Sequence, residues 1–75
     1  MIGKLVKITK IEAIKLWALR YKILIKNKKT GEELYCVMDN NGILLDEYCN
    51  EIYDIYNFTD HNSYFYIIEA PNNNI

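Results

Sequence analysis

No lysine or arginine follows Lys29. Residues 30–75 carry nine acids and no strong base, while residues 1–29 hold all nine Lys and Arg beside one acid, Glu12. The formal net charge of −1 thus conceals a chain that is +8 over its first 29 residues and −9 over the rest. Segregation of this kind points to charged partners.

Other scarcities exclude whole classes of chemistry. Cysteine occurs twice and histidine once, too few for the four Cys/His ligands of a structural zinc site. Cys36 and Cys49 lack the C-x-x-C spacing of a redox pair. They read as two buried thiols, because free cysteine is among the most buried residue types. With three glycines and one proline, the chain has no glycine-rich phosphate loop and no G-x-S-x-G; H-E-x-x-H is missing too. His61 lies between Asp60 and Asn62 in an expected loop and reads as solvated. Glu32-Glu33 and Asp46-Glu47 are adjacent pairs, and adjacent side chains point apart on a strand or a helix, so neither suits general acid/base work. No catalytic residue, metal or cofactor is expected, and the chain reads as non-enzymatic.

Long apolar runs are missing as well. None approaches the roughly 18 residues of a membrane span, so no membrane partner is expected. Met1-Ile2-Gly3-Lys4 shows no signal-peptide pattern, and Gly3 is misplaced for myristoylation. The expectation is a cytoplasmic protein. Ile, Asn, Lys and Tyr make up 36 of the 75 residues; all four use AT-rich codons, which suggests a low-GC bacterium or one of its phages, and hence a bacterial host cell.

What remains is a chain apolar enough to fold, with 51% hydrophobic residues. Its length supports one compact domain, placed at residues 1–70, with a flexible tail at 71–75 after Pro71 ends the last strand. The strongest local pattern is alternation. Trp17, Leu19, Tyr21, Ile23 and Ile25 recur at period 2, Asn27 to Gly31 supplies turn residues, and Leu34, Cys36 and Met38 resume the alternation. Pairing Ile25 with Leu34, Ile23 with Cys36 and Tyr21 with Met38 sets one face. It sets Lys26 against Glu33, Leu24 against Tyr35, Lys22 against Val37 and Arg20 against Asp39 on the other. A slip of one residue would destroy both sets of matches.

From Ile43 to Asn57, Leu45, Tyr48, Cys49, Ile52, Ile55 and Tyr56 fall at helical spacing, with Asp46 and Glu47 in the first turn. Lys4 to Ile8 reads as a strand. Tyr64 to Ile68 reads as a strand apolar on both faces, suited to a central place in a sheet. Thr9-Lys10-Ile11-Glu12 fits a capping box, but the Ile-rich stretch and the alternation from Trp17 favour a long strand bent near residues 9–15. The expected fold is α+β: a small, mostly antiparallel four-stranded sheet with one helix, about residues 43–57, packed on one face.

Three functional readings follow. On such a helix Glu47, Glu51 and Asp54 would form one acidic stripe, extended by Asp46 and flanked by Tyr53. Its plainest meaning is a solvated face. Its functional meaning is a tyrosine-bearing patch that docks on the basic surface of another protein. The favoured version is a phage-encoded, anti-defence inhibitor that imitates nucleic-acid charge toward a nuclease or similar protein. The second reading is a nucleic-acid-binding module using Lys7, Lys10, Lys15, Lys28 and Lys29; the sequence pI of about 5.7 argues against it. The third is self-association through the charge dipole, as a homodimer or a structural or regulatory subunit.

Overall fold

A computed structural model describes residues 5–68; the expected tail at 71–75 lies outside them. The order along the chain is β1 (Leu5–Ile8), α1 (Lys10–Ala18), β2 (Ile23–Asn27), β3 (Glu33–Met38), β4 (Leu44–Asp46), one 3₁₀ turn (Ile55–Asn57) and β5 (Ser63–Ile68). The strands form one antiparallel sheet in the order β1-β5-β2-β3-β4, with α1 on one face. The architecture is therefore the expected α+β arrangement, built on five strands rather than four.

The helix lies elsewhere than expected. The capping box at Thr9 forms: its Oγ1 accepts from the Glu12 backbone N–H at 3.2 Å, and Glu12 Oε1 accepts from the Thr9 backbone N–H at 2.8 Å. These bonds satisfy two orphan donors of the first turn. Ala13, Leu16 and Trp17, at helical spacing, face the sheet. The bent strand over residues 9–15 is thus corrected to a helix that includes Trp17. At its end the Arg20 N–H bonds to the Trp17 carbonyl and the Tyr21 N–H to the Leu16 carbonyl. That is a Schellman cap, with Arg20 at φ 72° where glycine is usual.

The expected helix over 43–57 is not formed. Asp46 Oδ1 accepts from the backbone N–H groups of Tyr48 and Asn50, at 2.8 and 2.9 Å. Cys49 takes φ 67°, which stops the turn after one round. Leu45 then bridges to Glu51 and the Ile52 N–H bonds to the Leu44 carbonyl. A carboxylate that bonds its own backbone competes with a helix.

The hairpin register is as read. Ile23 pairs with Cys36, Leu24 with Tyr35, Ile25 with Leu34 and Lys26 with Glu33. The ladder begins at Ile23, so Lys22, Tyr21 and Arg20 do not join it and their expected pairs with Val37, Met38 and Asp39 are not formed. β5 is bonded on both sides, by β1 and β2, the central place its two-sided apolarity suggested.

The core lies between α1 and one sheet face. Ala13, Trp17, Ile23, Ile25, Cys36, Leu44 and Phe65 are buried there, with Ile52, Ile55 and Phe58 packed against them from the stretch after β4. Of the two thiols only Cys36 is buried; Cys49 is exposed in its turn.

Candidate functional site

The sheet's other face has no described helix over it. Antiparallel register places a row of side chains across four strands: Lys7 of β1, Tyr66 of β5, Leu24 of β2 and Tyr35 of β3. The next row holds Tyr64, Lys26 and Glu33. Leu24 lies outside the main core yet is only 1% exposed, with a tyrosine on the neighbouring strand to each side.

Two cations meet at Tyr64. Lys7 Nζ lies 4.4 Å from the ring centroid and Lys28 Nζ 4.9 Å from it. The two ammonium groups are therefore less than 10 Å apart, although their residues are 21 positions apart in the chain. Cation–π attraction holds each head group in place. Lys28 Nζ also donates to the Asp60 carbonyl at 2.7 Å. The Tyr64 and Tyr66 rings are 6.2 Å apart at 48°. The result is a tyrosine platform with positive charge fixed at one end.

Of the five lysines singled out in the sequence, only Lys7 and Lys28 are drawn together here. Lys10 is tied elsewhere: its Nζ donates to the Ile55 carbonyl at 3.0 Å and its backbone N–H to Asp60 Oδ1 at 2.9 Å. Lys15 lies exposed on α1 and Lys29 exposed in the β2–β3 turn. Lys26, Tyr35, Tyr64 and Tyr66 were not singled out. The i, i+2 spacing of Tyr64 and Tyr66, and the pairing of Leu24 with Tyr35, were the signals available.

The acidic residues do not form a helical stripe. Asp46 is half-buried and occupied in capping its turn. Glu47, Glu51, Tyr53 and Asp54 are exposed on the irregular stretch that follows. Tyr48, Tyr53 and Tyr56 are 77%, 78% and 85% exposed among them. On the helix side of the sheet, Glu32 and Asp54 border a cleft of about 270 Å³ above Ile25, Leu34, Ile52 and Phe58.

Burial pushes the Cys36 thiol up to about 12, with the Asp46 charge adding to the shift. Among the described residues, no three His, Cys, Asp or Glu side chains gather as a metal site would need, and no helix is long and apolar enough to cross a membrane. Compared with protein-family models, curated proteins and solved structures, the chain matches none.

Proposed function

We propose that this protein is a small non-enzymatic binding protein that holds single-stranded nucleic acid against the open face of its sheet. The observation that carries the reading is the convergence of Lys7 and Lys28 on Tyr64, beside Tyr66 and within one sheet face of Tyr35. Sequence-tolerant binding of single strands needs base-stacking rings flanked by cations that meet phosphates. A broad sheet face offers rings to splayed bases, whereas reading a duplex calls for a helix or ribbon that enters a groove. Of the acids after β4, Glu47 and Glu51 follow it directly, at the opposite edge of the sheet from β1 and Lys7, whereas Asp60 lies beside Lys28.

The test is fluorescence anisotropy with labelled single- and double-stranded oligonucleotides, at low and then physiological salt. Salt-sensitive binding that favours single strands, and that weakens in Y66A and in K7Q/K28Q, is expected. Absence of binding at low salt, or equal binding by these variants, overturns the reading.

A second reading keeps the acidic side as the working surface, in an inhibitor of phage origin that docks on a basic nucleic-acid-handling protein. Its support is the exposure of Tyr48, Tyr53 and Tyr56 among Glu47, Glu51 and Asp54, since tyrosine is enriched at interface hot spots.

A further inference from the structure

We infer that the cleft between the β2–β3 hairpin and the stretch after β4 receives a lysine or arginine side chain from a basic partner protein. The inference deepens the second reading above and rests on it for the class of partner.

The floor is apolar. Ile25 is 2% exposed, and Ile52 and Phe58 pack onto the same core. The rim carries the acids Glu32 and Asp54, and no lysine or arginine lines the cleft. Glu33 pairs with Lys26 on the other sheet face, so its charge does not enter the cleft. Asp54 precedes the 3₁₀ turn, and its side chain does not cap it.

Size selects the occupant. A volume of about 270 Å³ falls just below the roughly 300–1,000 Å³ of small-molecule sites. One long side chain fits that space better than a cofactor does. Lysine and arginine lay an aliphatic stem on apolar surface and hold their charge at its edge, which is the order in which this cleft presents floor and rim. Tyr53, next in sequence to Asp54 and 78% exposed, offers a second contact beside the mouth.

The test titrates isotope-labelled protein with tetralysine, using tetraglutamate as control, and follows backbone amide shifts. Saturable shifts at Glu32, Ile52 and Asp54 are expected with tetralysine alone. E32Q/D54N should bind at least fivefold more weakly, and E47Q/E51Q, with the same loss of charge, should bind as the parent does. Loss of binding in E47Q/E51Q with retention in E32Q/D54N overturns the cleft while leaving the acidic side as a docking surface. Failure of tetralysine to bind the parent protein overturns both. Shifts at the same amides on raising protein concentration without peptide would assign the cleft to a second copy of this chain, and the inference falls.

Discussion

The indole Nε1 of Trp17 donates to the carbonyl oxygen of Cys36 at 3.2 Å, with both residues at most 1% exposed. This bond fixes α1 over the centre of the sheet, and the ring beneath it fills the core. Trp17→Phe keeps an aromatic ring but loses the donor and part of the volume. It should cost about 1–3 kcal/mol, read as a lower urea midpoint at unchanged slope. Trp17→Ala should cost about 3–5 kcal/mol, a large share of the 5–15 kcal/mol typical of a whole domain.

Arg20 is the one expected to gain from substitution. It sits at φ 72° in the cap of α1, where a residue with a Cβ is disfavoured by roughly 1–2 kcal/mol. Arg20→Gly should therefore stabilise the protein by about 1 kcal/mol. The Arg20 Nη1 bond to the Ala18 carbonyl, at 3.0 Å, is exposed, so its loss should offset little. Thermal denaturation will show a raised midpoint; a lowered one would mean that the cap does not need a left-handed residue here.

Asp46 separates structure from binding. Its carboxylate accepts two backbone N–H bonds that close the turn after β4. Asp46→Ala should cost about 1–2 kcal/mol, as loss of a helix cap does. Glu47→Gln should leave stability unchanged. Denaturant melts of the two variants check this directly.

Cys36 makes stability sensitive to alkali. Burial, and then the Asp46 charge, raise its thiol from 9.0 to about 12 in the folded chain. The folded state keeps its proton where the unfolded state has lost it. The contribution is thus complete below pH 9 and is lost as pH rises toward 12. Cys36→Ala starts less stable because of the cavity, but the gap between it and the parent should narrow from pH 8 to pH 11. In the native state a thiol reagent at pH 8 should modify Cys49 at once and Cys36 only on unfolding.

For nucleic acid, the two lysines should appear in the salt dependence. Log affinity for a single strand falls with log salt by about 0.7 per phosphate neutralised. K7Q/K28Q should therefore flatten the slope by about 1.4. Tyr66→Ala should leave the slope unchanged and cost about 1–3 kcal/mol. Anisotropy titrations at four salt concentrations distinguish the two effects.

The hairpin was legible because two independent constraints agreed. Apolar matched apolar and Lys26 met Glu33 in one register, and a single-residue slip would have broken both. The helix was not legible because two patterns competed for Trp17. It opened the period-2 run and also completed Ala13, Leu16 and Trp17 at period 3.6. The capping box at Thr9 and Glu12 favoured the second, and the chain reversal at Arg20 made it fit. Residues 43–57 failed for the opposite reason: good periodicity was overruled by Asp46, which bonds its own backbone, and by the left-handed Cys49. The open face was half legible. Tyr64 and Tyr66 were visible as a pair, but the meeting of Lys7 with Lys28 depends on β5 lying beside β1, which no local pattern encodes.

That placement of β5 governs how the protein is made. Among the described strands β1 and β2 are made before the others, yet they are separated in the sheet by β5. Until Ser63–Ile68 leaves the ribosome, β1 has no neighbour and the core lacks Phe65. The helix and the β2–β3 hairpin can form early from local contacts, but they wait, half-finished, for β5 to slot between β1 and β2. Folding of this sheet thus closes only once β5 is available, and the nascent chain is vulnerable to proteases and to stray strand pairing up to that moment.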